Sequence, residues 1–167
     1  MKVDWKELAI KIGSIRSESP NCESGGNDYA RRAFEEILGD EWVKDTVEYA
    51  ISGRGGQEIA MNCLRLLSSE KGCMYAYEIY KESNSERASE AVWLIKHICN
   101  KVSFRWIEEF LNDENVRGWG LEVLDQLLFT EKVTPNDETE RLLCIAEKID
   151  DLKNGVNLIR GYLQERK

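Results

Sequence analysis

The chain has 167 residues, 42% of them hydrophobic and 32% charged, with a formal net charge of −8. This length supplies one domain, residues 1–167, with its own core. The acidic balance argues against direct DNA or RNA binding, which concentrates positive charge to neutralise phosphates; it suits a basic protein partner, or serves solubility alone.

Lys2, Asp4, Lys6, Glu7 and Lys11 interrupt residues 1–15, so no uninterrupted apolar signal segment is expected there. No stretch approaches transmembrane length. The five cysteines (Cys22, Cys63, Cys73, Cys99 and Cys144) are odd in number and form no CxxC. Cys63, Cys99 and Cys144 sit in apolar helical patterns, where a thiol behaves as a small hydrophobe. That usage fits a reducing compartment, and a cytoplasmic location is the expectation.

In chain order, Trp5, Leu8, Ala9, Ile12 and Ile15 form one helical stripe and predict a helix over 4–16. Residues 17–27, with Pro20, Gly25 and Gly26, break the pattern and predict a mobile loop. A helix over 28–38 should turn Tyr29, Ala30, Ala33, Phe34 and Ile37 inward and stop at Gly39. Residues 40–51 follow, carrying Trp42, Val43, Val47, Ala50 and Ile51. Residues 57–68 should bury Ile59, Ala60, Cys63, Leu64 and Leu67. Further helices are predicted over 71–82, 86–99, 102–111, 115–129, 137–149 and 151–165. Asn84 or Ser85, and Thr134 or Asn136, are the cap types. No segment alternates for long enough to predict a strand.

The second helix of each pair repeats a small-or-apolar pattern. Ala60, Cys63, Leu64 and Leu67 match Ala88, Ala91, Val92 and Ile95 at an offset of 28, which also reaches Val116, Trp119, Gly120 and Val123. Ala30, Ala33, Phe34 and Ile37 match at 30. The expected fold is all-α: about five stacked antiparallel helical hairpins.

The segment from Phe110 to Arg117, with Asp113, Val116 and Arg117, resembles the turn and second helix of a HEAT repeat. The resemblance implies a HEAT-like α-solenoid, an α-α superhelix. It also implies that Asp113 caps a helix start and that Arg117 pairs with acidic turn residues of a neighbouring repeat. The full motif occurs once, Ser85–Ala88 being a weak echo, and the unit is shorter than the usual 40–47 residues. It is nearer the short HEAT-like units of bilin-lyase-type proteins.

Residues that could carry chemistry are few. His97 is the single histidine, with nothing to mark a nucleophile beside it. No Cys/His cluster has metal-ligand spacing. Ser52–Gly56 lacks the Lys-Ser/Thr of a phosphate-binding loop and follows a helix rather than a strand. Glu35–Glu36 and Glu108–Glu109 are adjacent pairs that point to different sides, as on solvated faces. A non-enzymatic chain with no cofactor and no metal is the expectation.

Trp93 falls off the apolar side of its helix, among polar residues, and is either a binding anchor or a packing residue against a neighbouring hairpin, whereas Trp119 belongs to the apolar stripe and is expected in the core. In stacked hairpins the second helices line the concave surface. That surface should present Glu58, Asn62, Glu86, Ser89, Glu90, Trp93, His97, Glu122 and Asp125. The expected function is a protein-binding helical-repeat module. In size, charge and architecture it is similar to bacterial immunity proteins, which neutralise a cognate toxin, often a basic nuclease. The alternatives are a bilin-lyase-like ligand-handling protein and a nucleic-acid repair or binding protein on a HEAT-like scaffold; the charge disfavours the second.

Overall fold

The computed structural model describes residues 2–16 and 19–166, with side chains for all of these except residues 16 and 19–23. The chain is all-α. Its described residues form ten α-helices, two 3-10 segments and one short antiparallel ribbon. The helices are α1 (Trp5–Lys11), α2 (Asn27–Leu38), α3 (Asp40–Ala50), α4 (Gln57–Leu67), α5 (Glu70–Glu82), α6 (Ser85–Ile98), α7 (Ile107–Asn112), α8 (Arg117–Phe129), α9 (Asp137–Glu147) and α10 (Lys153–Glu165). Lys101–Trp106 leads into α7 and Asp150–Leu152 into α10 as 3-10 turns.

The first predicted helix is too long. Asp4 caps α1 by accepting from the backbone N–H groups of Lys6 and Glu7. The helix ends at Lys11, and Gly13 takes a left-handed φ of 77°, a conformation glycine adopts at little cost. Ile15 then lies in β1 (Ile15–Arg16), which pairs antiparallel with β2 (Ser19–Glu23) across a register irregularity. Part of the predicted loop is therefore a strand. Residues 17 and 18 of that loop lie outside the described residues.

The remaining helices pack in sequence. α3 with α4, α5 with α6, and α7 with α8 form hairpins, and α9 packs on α10. Across hairpins, α3 contacts α5 and α7 contacts α9, while α2, α4, α6, α8 and α10 contact one another in turn. The result is a helical repeat-like stack of two layers. Its core runs through α3 to α10.

Backbone conformation sets the true repeat. Gly39, Ser68, Cys99 and Glu131 follow α2, α4, α6 and α8, and each has a left-handed φ (84°, 47°, 52° and 58°). Their spacings are 29, 31 and 32 residues, not 28 and 30. Counted from these markers, Leu64, Ile95 and Leu127 are equivalent, each four residues upstream, and all three are 0% exposed. The sequence pattern at offset 28 was one turn out of register. Hence Cys63, matched there to the buried Ala91, is exposed, as is Ile59. Cys144 is exposed too, and the buried thiols are Cys73 and Cys99.

α2 departs most from expectation. Ala30 and Phe34 are exposed. The buried position four residues before Gly39 holds Glu35, only 6% exposed. Its carboxylate accepts a hydrogen bond from the Ser69 hydroxyl, whose oxygen also accepts from Gly72 N–H at 2.8 Å to cap α5. Burial pushes the Glu35 carboxyl pKa up, against the lowering effects of Ser69 and Lys71. The reading of Glu35 as solvated therefore fails. Its neighbour Glu36 faces out to Lys11 and Lys71.

Candidate partner-binding face

The exposed side of the second layer is built by the same register. Nine, six and two residues before each end marker, α4 presents Ile59, Asn62 and Leu66, α6 presents Glu90, Trp93 and His97, and α8 presents Glu122, Asp125 and Phe129. None of the nine is buried. Positions nine, six and two recur on one helix face because they advance by about one turn each. The nine residues thus form three rows running across α4, α6 and α8.

All nine predicted face residues lie on these three helices. Glu58, Asn62, Glu86 and Glu90 are exposed, Ser89, Trp93 and His97 are half-buried on α6, and Glu122 and Asp125 lie on α8. Several are tied together. The Trp93 and His97 rings meet edge to face at 4.6 Å. Lys96 pairs with Glu122 and lies 5.4 Å from the centre of the Trp119 ring. The Trp119 indole N–H donates to Ser89 Oγ at 3.0 Å. Tyr162 O–H from α10 donates to Asp125 Oδ1 at 2.8 Å. Trp119 packs against the core without being fully enclosed by it. It is half-buried and bridges α8 to α6.

Charge on this face is unevenly spent. Glu58, Glu86 and Glu90 make no ion pair or side-chain hydrogen bond among the described residues, whereas Glu122 and Asp125 are occupied. His97 lies against Trp93. Burial lowers its pKa, and Lys96 and Arg65 lower it further while Glu122 opposes. These effects favour the neutral ring, which lies edge to face with Trp93.

Asp113 lies in the turn between α7 and α8, and Arg117 opens α8. Asp113 Oδ1 accepts from Asn115 N–H at 2.9 Å, and its carbonyl accepts from Arg117 N–H at 2.8 Å. Asp113 thereby stabilises the turn, while the N-cap of α8 is Val116, which is buried. Asp113 Oδ2 also accepts from Tyr80 O–H at 3.2 Å. Arg117 pairs with Asp151 at 3.0 Å, in the 3-10 turn before α10 of the next hairpin.

The sequence reading missed Ile59, Leu66 and Phe129 as members of the face. The residue types that end the helices could have found them. Gly39 is an evident stop, but Ser68, Cys99 and Glu131 are not residues that announce a left-handed cap, so the register stayed hidden. Among the described residues, no group of three or more His, Cys, Asp or Glu could hold a metal ion, and no helix is long and apolar enough to cross a membrane. No protein-family model matches the chain, and no curated protein or solved structure is significantly similar to it.

Proposed function

We propose that the chain is a protein-binding module that docks a basic partner on the outward face of α4, α6 and α8. In its most specific form this is an immunity protein that neutralises a cognate basic, nuclease-like toxin in the cytoplasm. The observation that carries the reading is the set of uncompensated acids around an aromatic centre: Glu58, Glu86 and Glu90 beside Trp93 and His97. A surface carboxylate without a partner can gain one on binding, at little desolvation cost when it stays at the rim. A half-buried tryptophan supplies the kind of anchor that dominates interface energies. The two-layer stack gives a broad, rigid platform, as repeat architectures do when they bind extended surfaces. A HEAT-like curvature of the stack belongs to the same proposal.

The test is affinity capture with the immobilised protein, followed by titration of the captured protein at two salt concentrations. The reading expects a basic partner whose affinity falls as salt rises, and a strong loss with the Trp93→Ala and Glu90→Lys double variant. Binding only acidic proteins, or binding that ignores both changes, would contradict it. Co-expression with the product of the neighbouring gene tests the immunity form directly, since the predicted outcome is loss of that product's toxicity.

A further inference from the structure

The outward face divides into two halves. Over α6 and α8 it holds Glu86, Glu90, Glu122 and Asp125, with Phe129, 57% exposed, at the end of α8. Over α4 the equivalent rows hold Ile59, 71% exposed, Asn62, and Leu66, 73% exposed, and Cys63 is exposed beside them. α2 packs beside α4 and adds Phe34, 58% exposed, at the position equivalent to Cys63. Single exposed aliphatics are ordinary, but several of them clustered on two neighbouring helices mark an interaction surface.

We propose that this apolar half is the second part of the same interface, and that the partner presents an apolar cluster beside its basic one. The proposal rests on the reading of the face as a partner-binding surface. Three observations support it. The halves are continuous, because α4 packs directly on α6. The acidic half is also too small alone. Helices of 14 and 13 residues, about 20 Å long and 8–10 Å apart, cover roughly 400 Å². A stable interface buries about 600–1,000 Å² on each side. α2 and α4, of 12 and 11 residues, bring the platform to roughly 700 Å². Finally, charge selects the occupant. A second copy would bring a net −8 against −8 and set unpaired glutamates of both chains side by side, which a basic amphipathic partner avoids.

The probes are two labelled 18-residue peptides of equal positive charge, one an amphipathic leucine–lysine helix and the other a lysine–serine sequence without apolar residues. Fluorescence anisotropy measures each against the full chain, against Ile59→Asp/Leu66→Asp, and against Glu86→Gln/Glu90→Gln. Both pairs are exposed, so the fold is expected to persist, and circular dichroism checks it. The leucine–lysine peptide should bind on the order of tenfold tighter than the lysine–serine peptide, and Ile59→Asp/Leu66→Asp should abolish that advantage. Glu86→Gln/Glu90→Gln should weaken both peptides. Unchanged leucine–lysine binding to Ile59→Asp/Leu66→Asp overturns the inference while leaving the acidic face standing. Unchanged binding of both peptides to Glu86→Gln/Glu90→Gln overturns the underlying reading. A wild-type dimer in sedimentation equilibrium that Ile59→Asp/Leu66→Asp converts to monomer also overturns the inference, since a second copy would then cover the face.

Discussion

α2 and α8 hold equivalent places in the same layer, yet they are stabilised differently. α8 buries Leu121, Val123, Leu124, Leu127 and Leu128, and its Gly120 lets α7 approach so closely that an added Cβ would lie 2.7 Å from Phe110 Cβ. α2 buries one residue, and that residue is Glu35. Polar links hold it instead: Glu35 to Ser69, and Glu36 to Lys11 and Lys71, with Lys71 also pairing with Asp40 at 2.7 Å. Apolar packing at α8 leaves little exposed except Phe129. Polar docking at α2 leaves Ala30, Phe34 and Leu38 exposed. The same repeat thus spends its hydrophobic residues on the core at one end and on the surface at the other.

Core truncation should separate the regions most sharply. Leu127→Ala should lose about 3–4 kcal/mol of unfolding free energy, from lost burial plus a cavity, whereas Phe34→Ala should change stability by less than about 1 kcal/mol. Chemical denaturation measures both. A similar loss at the two sites would end the contrast. Next in size is Gly120→Ala. The new methyl meets the backbone of Phe110 at 3.2 Å as well as its Cβ, so the helices must separate, and a loss of about 1–3 kcal/mol is expected despite alanine's better helix propensity. The exposed Gly118, whose Cβ would meet nothing within 4 Å, provides the control, and Gly118→Ala should be neutral or stabilising.

Glu35→Leu restores the aliphatic residue that Leu64, Ile95 and Leu127 supply at equivalent places. It should raise stability at neutral pH by roughly 1–2 kcal/mol, because a buried charge is exchanged for packing. The pH dependence follows from the sign of the shift. With its folded pKa raised, Glu35 binds more protons in the folded state than in the unfolded state. It therefore favours folding most below the ordinary glutamate pKa and loses that contribution as pH rises through the raised value. The advantage of Glu35→Leu should be largest near pH 7 and shrink on acidification. His97 works in the opposite sense. Its lowered folded pKa means that the unfolded state takes up protons first as pH falls below the ordinary value of 6.5, so wild type should lose stability there and His97→Gln should lose less. The smallest expected effect is kinetic and local. Amide exchange should release α1 and α2 before α6 and α8, because few buried apolar contacts hold the first pair.

The fold class was legible because it depends on periodicity and on the scarcity of proline. The register was not. α4 is apolar nearly all round, with Ile59, Ala60, Met61, Cys63, Leu64, Leu66 and Leu67, so the pattern fits more than one rotation, and packing on α3 and α6 chooses Met61 and Leu64 for the core. Trp93 and the glutamates of α6 were legible because the buried stripe of that helix is unambiguous. Glu35 was hidden because a carboxylate in a core position becomes tolerable only through Ser69, thirty-four residues away.

The central claim is that the outward face of α4, α6 and α8 is where a basic partner binds. The most direct measurement is a titration of the captured basic partner, by calorimetry, against wild type, Trp93→Ala/Glu90→Lys, and the charge-matched control Glu165→Lys at the exposed end of α10. A loss on the order of a hundredfold for the face variant with an unchanged control is the predicted result. Equal affinities for all three, or equal losses in the face variant and the control, would contradict it.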